Sequence, residues 1–411
     1  MSNMKQILLA RTAPMIGHMP AYNNTLTAIV GDIYTAMDVV SRELVGYIPS
    51  VMRAPGVEAA AVGQTVQYPI APPQTLTDIV PSMTPPSGNN NTFAVGTMTI
   101  TDSKAAKFNF TGEEQRSLNA GSGPNYQSAQ AMIIAQGLRT LTNAVEGTLA
   151  TVARGGASRA VGTAGTTPFG TTVDHLNDIA LVRKILDDNG APASGRSLVL
   201  DTSAGANLRS VKNLTRVSEA GNEMTLRQGE LMEIFGLSAK ETGQPRSHVK
   251  GTAASATTNA AGYAVGSTTI TLASAGTGTI LVNDFITFAG DTNRYRVVTG
   301  DTDVSNGGTV VLAAPGLRQA IPAAATAITL IANHAVSGVA FSQDAIHLAV
   351  RPPARPTTGD LAIDVMLVTD PRSGLTFEFA VYPGYRMMYG EIGLAWGAAA
   401  TKVEHIAMLI G

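Results

Sequence analysis

The order of two neighbouring segments constrains this chain more than any other feature: an extended two-stranded hairpin over Val62–Phe110 runs directly into the longest helical stretch, Tyr126–Arg154. In the first arm Val62, Val66, Tyr68 and Ile70 alternate with Gly63, Thr65 and Gln67. The second reads Phe93-Ala-Val-Gly-Thr-Met-Thr-Ile-Thr101 and closes with Phe108 and Phe110. This is the period of two that a strand requires. Between the arms lies Pro85-Pro-Ser-Gly-Asn-Asn-Asn91, a tip of turn formers. A lone hairpin is marginal in water and leaves two edges unpaired. It needs a partner surface, and another copy of the chain can supply one. The helix that follows sets Ala129, Ile133, Leu138, Leu141, Val145, Leu149 and Val152 on one broad apolar face. It spans roughly 45 Å at about 1.5 Å per residue, long enough for a strut.

Composition supports covering by partners. Charged residues make up 14% of the chain, against roughly 25% in an average soluble domain, so much of the surface is either neutral or buried in contacts. A net charge of −2 calls for neither nucleic acid nor membrane as a tight ligand. The absence of cysteine removes disulfides, thiolate metal sites and cysteine nucleophiles together. Between Lys5 and Arg11 the only apolar run is Ile7-Leu-Leu-Ala10, too short for the core of a signal peptide. The apolar tail Ile392–Ile410 carries Lys402, Glu404 and His405, which disqualifies it as a spanning helix. The expectation is a soluble protein made in a cytoplasm.

Upstream of the hairpin, Leu26, Ile29, Val30, Ile33, Met37, Val40 and Leu44 predict an amphipathic helix within 26–48, stopped by Pro49 and Pro55. Asn119–Pro124 is a hinge by composition, and the Gly/Thr/Ala-rich Gly155–Gly170 reads as a loop. Thr172 and Asp174 can cap a helix carrying Leu176, Ile179, Val182 and Leu186, with Asn189-Gly190 as its stop. Ser197–Asp201 reads as a buried strand, and a capped helix follows from Ser203 through Leu208, Val211 and Leu214, which together imply a small α/β layer. Gly251–Gly262 is a low-complexity linker. Beyond it, short strands over Thr268–Leu272, Asp284–Phe288, Tyr295–Val298, Thr309–Leu312 and Ala327–Leu330 argue an inserted all-β module. From Ala335 the mixture of apolar and polar residues is again that of the chain before Lys250. After the Pro-rich Arg351–Pro356, strands over Leu361–Val368, Thr376–Val381 and Met387–Trp396 form a closing sheet. The fold class is α+β.

No phosphate-cradling, nucleophile-elbow or zinc-protease motif occurs, and the six histidines show no pair at metal-ligand spacing. The chain reads as a non-enzyme with no catalytic, cofactor or metal residues. Asp174-His175 reads as helix capping rather than two parts of a triad. Asp284, Asp291, Asp301 and Asp303 read as turn chemistry rather than a calcium loop. Arg351 and Arg355 are either a basic contact for phosphate or part of a stiff connector whose arginines face solvent or a neighbouring acid. Glu113, Glu114 and Arg116, at the hairpin foot, are either intersubunit ion pairs or a solvated helix start.

The layout, with Arg116-Ser-Leu at the hairpin foot, Leu198-Val-Leu-Asp201 with Leu208-Arg209, Gly236-Leu237, and Ala340-Phe-Ser-Gln-Asp-Ala-Ile-His-Leu-Ala-Val-Arg-Pro352, resembles the major capsid protein of tailed bacteriophages. It is similar to the podovirus type with an inserted β-barrel domain, in a fold shared with herpesvirus capsid floors and encapsulins. The resemblance implies an N-terminal arm and helix over 1–55, an extended hairpin loop over 56–118, and a spine helix and loop over 119–170 in the peripheral domain. It implies an axial domain over 171–250 and 335–350, an inserted β domain over 251–334, and a closing peripheral sheet over 351–411. It further implies hexamers and pentamers of the chain forming an icosahedral virion capsid around double-stranded DNA, which the wall touches weakly and without sequence preference. Assembly in the bacterial host cytoplasm would involve a portal protein and, optionally, a decoration protein. Only about two dozen residues precede the first helix, so the expected scaffolding protein is a separate chain. The intersubunit contact candidates are Tyr68, Ile70, Phe93, Val95, Ile100, Glu113, Glu114, Arg116, Arg351 and Arg355. The competing readings are an encapsulin-like compartment and, in a different class, a β-rich surface binding protein using Thr268–Leu330.

Overall fold

The computed structural model describes residues 44–54, 58–70, 78–79, 81, 83, 94–120, 126–170, 176–211, 214, 233–244, 246–356, 358–371 and 373–411. Most of the helix expected over 26–48, the hairpin tip 84–92, Phe93 and the Asp174-His175 pair lie outside these residues.

In chain order, β1 (Met52–Arg53) precedes the hairpin arms β2 (Thr65–Ile70) and β3 (Ala94–Thr99), which pair antiparallel from Thr65↔Thr99 to Ile70↔Ala94. The second arm was expected to continue to Phe110, yet pairing stops at Thr99. After Ile100-Thr101 the chain turns into β4 (Asp102–Thr111), which runs along the closing sheet, so Phe108 and Phe110 belong to that sheet. Helix α1 (Gly112–Ala120) opens on a capping box in which Thr111 Oγ1 accepts from the Glu114 amide at 3.2 Å and the Glu114 carboxylate accepts from the Thr111 amide at 2.8 Å.

Helix α2 (Tyr126–Gly156) has 31 residues, or roughly 46 Å. Its buried face is Ala131, Ile134, Ala135, Leu138, Leu141, Val145, Leu149 and Ala153, spaced by three and four. Ile133, assigned to that face by spacing, is 40% exposed, and Ile134 points inward instead.

The segment expected as a loop after α2 contains β5 (Arg159–Gly162). Its small, polar sequence hides a strand that tertiary pairing on both sides creates. Helix α3 (Asn177–Asp188) ends at Asn189-Gly190, with Gly190 at φ +73°. Then come β6 (Arg196–Asp201) and α4 (Thr202–Arg209), capped by the Asp201 side chain accepting from the Ala204 amide. They lead to β7 (Glu233–Ile234), β8 (Leu237–Thr242) and β9 (Arg246–His248).

The β module contains β10 (Thr269–Leu272), β11 (Phe285–Phe288), β12 (Arg294–Thr299), β13 (Gly308–Leu312) and β14 (Ile328–Leu330), within a residue or two of the expected strands. Its core is formed by inward alternates such as Ile270, Leu272, Ile286, Phe288, Val310 and Leu312. The expected linker Gly251–Gly262 is part of this module: Ala256 and Thr258 are buried, and bridges tie Ala254 to Thr277 and Thr257 to Ala327. Methyl and hydroxyl side chains look like linker composition, but here they let backbones approach closely.

The chain returns through β15 (His334–Ser342) and β16 (Ile346–Arg351), then β17 (Asp364–Thr369), β18 (Thr376–Gly384), β19 (Met387–Ala400) and β20 (Ile406–Ile410). Two large sheets result. The six-stranded sheet runs β1-β16-β19-β18-β17, with β4 on the other edge of β19. The twelve-stranded sheet runs β10-β13-β12-β5-β20-β15-β6-β8-β7, with β11, β14 and β9 attached. The return segment 335–350 is therefore split between sheets. The last strand, β20, leaves the closing sheet for the α/β layer, and the inserted module is joined to that layer edge to edge through β12 and β5.

Helix α2 packs its apolar face on the six-stranded sheet, where Phe377, Phe379, Ile392, Leu394 and Trp396 are buried. Gly137 allows the approach, since a Cβ there would lie 2.8 Å from Ile392 Cδ1. Trp396, wholly buried, donates its indole N–H to Thr148 Oγ1 at 3.1 Å.

Candidate assembly surface

Two features of the described surface are candidates for contacts with other chains: the hairpin and the outer edge of the six-stranded sheet. The hairpin is rooted in its own chain. Met98 and Ile100 are fully buried with Ala60, Ala349 and Ala395, and Val66 and Tyr68 pack against this cluster, so the apolar face is covered at the base by the subunit's own sheet. Tyr68 meets the His347 ring edge-on at 5.2 Å. Burial of Met98 and Ile100, at about 1.5–3 kcal/mol each, is enough to hold the root in place. Backbone proximity contributes as well: Thr101 N donates to Trp396 O at 3.1 Å, and a Cβ on Gly397 would lie 2.1 Å from Thr99 O. The opposite face carries Thr65, Gln67, Thr97 and Thr99, all exposed, with Val95 at 57% exposure.

Helix α2 holds a second root. Glu146 is 1% exposed, and its carboxylate accepts from the amides of Gly46 at 2.7 Å, Tyr47 at 2.8 Å and Ile48 at 3.1 Å, and from Thr242 Oγ1 at 2.9 Å. Burial pushes its carboxyl up, and these donors pull against that shift. The latch explains why Leu44–Ile48, expected as the end of a helix, is irregular and leads into a turn at Ile48–Ser50. Amides that would bond to carbonyls four residues back are instead turned toward one carboxylate. Gly46 is required, since a Cβ would lie 2.7 Å from Glu241 O and from Val199 Cγ1.

The outer edge of the six-stranded sheet is β17. Along it and the residues just before it, Leu361, Ile363, Val365 and Leu367 are 75%, 57%, 43% and 53% exposed at alternating positions, which places them on one face. A strand with a single strand neighbour among the described residues and an exposed apolar row is a contact surface in waiting.

The sequence-derived candidates divide between surface and interior. Val95, Glu113, Glu114 and Arg116 are exposed, Tyr68 is half-buried, and Ile70 lies in β2. Glu114 is occupied by its capping box, where the Thr111 amide and hydroxyl hold its carboxyl below the usual range. Ile100 is fully buried within the subunit. Arg351 is 8% exposed and donates toward Ala54 O, so it is not a surface cation. Arg355 bonds Glu378 at 2.8 Å and Asp360 at 2.7 Å and lies over the Tyr382 ring. Arg355 therefore faces two acids, whereas Arg351 is buried against the backbone carbonyls of Ala54 and Val350. Asp291, Asp301 and Asp303 serve turns, accepting from Asn293 N, Asp303 N and Ser305 N, whereas Asp284 is buried and bonds the His248 ring and the Gly251 amide as well as the nearby Leu281 amide. Sequence reasoning missed Glu146, although it is the single acid of α2 and falls beside the apolar positions Leu141, Val145 and Leu149. It also missed the β17 row, because alternation reveals a strand but not which face stays uncovered.

Among the described residues no group of three or more histidines and acids is placed to hold a metal, and no helix is long and apolar enough to cross a membrane. The architecture is an α+β protein of two large sheets joined by one long helix, with a rooted hairpin and an apolar sheet edge at its surface. No family model and no curated protein matches the chain. Among solved structures it is similar to one described as Mycobacterium phage Che8, with 12% identity, 86% of this chain and 88% of that chain covered, and a TM-score of 0.43. It is also similar to the capsid of the cyanophage P-SCSP1u, with 10% identity, 90% and 89% covered, and a TM-score of 0.48. A third likeness is to the capsid of a native GTA particle, with 10% identity, 90% and 91% covered, and a TM-score of 0.45.

Proposed function

We propose that the chain is the major capsid protein of a tailed bacteriophage: a subunit that closes with its copies, as hexamers and pentamers, into an icosahedral shell around double-stranded DNA. The observation that carries this reading is the rooted hairpin. Its base is fixed by Met98, Ile100 and the close approach at Gly397, and the chain runs on through β4 and α1 into α2. A root of this kind fixes the base from which a clamp on a neighbour can act. The exposed row at Leu361, Ile363, Val365 and Leu367 supplies a second lateral contact. Many modest, weakly charged contacts per subunit, multiplied by closed symmetry, let a shell assemble with error correction. The exposed candidates Val95, Glu113 and Arg116, with Tyr68 and Ile70, belong to the clamp and its foot. A separate scaffolding protein directs assembly in the host cytoplasm, a portal occupies one vertex, and the wall touches packaged DNA only weakly.

Weighing the purified material, with and without a co-expressed scaffold, tests the reading. Shell-sized particles are the expected result, and persistent monomers or dimers under both conditions refute it. Deleting residues 84–92 should leave a folded subunit that forms no stable shells. Normal particles from that deletion would show that the tip is not an assembly contact.

A further inference from the structure

Spacing by three and four sets Leu181, Lys184, Ile185 and Asp188 on one face of helix α3. That face lines a cleft of about 270 Å³ together with Arg159 of β5 and, from the β module, Asn293 and Arg294 at the start of β12. The cleft lies beside the short ladder in which Arg294 faces Ala160 and Tyr295 faces Arg159. It therefore sits where the module meets the α/β layer.

Arg159, Lys184 and Arg294 line this cleft against a single carboxylate, Asp188. Arg159 is 3% exposed, and its ionic contact is long, 3.4 Å from Nη2 to Asp188 Oδ2. The same oxygen lies 3.9 Å from Lys184 Nζ, so two cations converge on one acceptor. The other contacts of the Arg159 guanidinium are neutral: Nη1 donates to Asn293 Oδ1 at 2.9 Å, and Nη2 to Asn189 Oδ1 at 3.1 Å and to Ile185 O at 3.4 Å. Its Nε–H is buried and has no acceptor among the described residues. Burial pushes this guanidinium below its ordinary value against the pull of Asp188, with Arg318 adding to the push, yet it stays a cation. Nearby acids are engaged elsewhere: Asp291 accepts from the Tyr295 hydroxyl at 2.6 Å and Asp187 from Arg196 at 2.6 Å. Asp178 acts on Arg294, and its charge is offset by that of Arg318. Even with about half a negative charge assigned to the C-terminus of α3, an excess of roughly one to two positive charges remains. A buried charge without a full partner is costly.

We propose that the cleft binds a small anion of the phosphate class, held between Arg159 and Lys184, with Arg294 adding to the field. A phosphate group carries about −1.5 to −2 near neutral pH, which matches the excess, and it offers acceptors to the Arg159 Nε–H and the Lys184 ammonium. The cleft is smaller than the roughly 300–1,000 Å³ of sites for drug-sized ligands, so it suits inorganic phosphate or a short phosphate monoester. Bound there, the anion ties α3 to the β module beside the β12–β5 pairing. The inference stands on this lining and is independent of the shell reading.

Calorimetric titration of inorganic phosphate into the purified full chain, at about pH 7.5 and low ionic strength with sodium chloride as the blank, tests the site. One saturable site per subunit is expected, with a dissociation constant on the order of 1 mM or tighter. Lys184 is 66% exposed and makes only the long contact with Asp188, so Lys184→Met should fold normally and weaken binding about tenfold or more. Asp188→Asn removes the competing carboxylate while keeping an acceptor for Arg159, and should tighten binding several-fold. Lys107→Met, in β4 of the other sheet, should leave it unchanged. No saturable binding up to about 10 mM phosphate, equal affinity in Lys184→Met, or equal weakening by Lys107→Met overturns the proposal. If Lys184→Met fails to fold, Asp188→Asn decides, and unchanged or weaker binding there refutes the site. A single-stranded oligonucleotide that binds where inorganic phosphate does not also overturns it, in favour of a polymeric ligand.

Discussion

Replacing Glu146 with Gln tests the latch between the spine helix and the segment 44–50 without changing side-chain size. The amide oxygen, occupying the Oε1 position, keeps the amides of Gly46 and Tyr47 and the Thr242 hydroxyl. Its nitrogen then faces the Ile48 amide, donor against donor, so that bond is lost and a buried N–H is left unsatisfied. Hydrogen bonds to a charged acceptor contribute about 1.5–3 kcal/mol against about 0.5–1.5 for neutral ones, and an orphaned buried donor costs about 1–3 kcal/mol. Burying an amide is less costly than burying a carboxylate, which offsets part of the loss. The net expectation is a destabilisation of about 2–4 kcal/mol, read as a lower urea midpoint at unchanged m-value. Faster exchange should be confined first to the amides of residues 46–48. Thr242→Val, which removes one donor and keeps the amide set, should cost about 1 kcal/mol. If Glu146→Gln falls within about 0.5 kcal/mol of the parent, the range of ordinary surface substitutions, the carboxylate is not holding this segment.

Two further substitutions probe the hairpin root and the helix–sheet core. Gly397→Val forces a side chain into the Thr99 carbonyl. Overpacking should cost about 1–3 kcal/mol, make the hairpin protease-sensitive and abolish shells. A resistant hairpin would show that the contact at Gly397 is not what seats it. Thr148→Val removes the acceptor of the Trp396 indole at nearly constant volume and should destabilise by about 1–3 kcal/mol. Trp396 is the chain's one tryptophan, so its fluorescence reports the change directly; an unaltered spectrum and urea midpoint would refute the role given to this bond.

The amino-acid order alone determined what depends on near neighbours along the chain. The strut helix, the capped stop at Asn189-Gly190, the strands of the β module and the alternation of the hairpin arms follow from periods of 3.6 and 2 and from turn residues. These signals lie within a few residues of the positions they describe. Strand β5 escaped because Arg159–Gly162 has little strand propensity and is defined by its partners β12 and β20. The split of the return segment between two sheets, the fusion of the module to the α/β layer and the interior positions of Ile100 and Arg351 were likewise decided by pairing. The tertiary structure alone assembled the rooted hairpin, the Glu146 latch and the contacts of His248 with Arg154 and Asp284. Glu146 meets its amides across about one hundred residues of chain, and His248 joins groups 94 and 36 residues away. Contacts at such separations depend on which surfaces the two sheets bring together, and no local pattern encodes that.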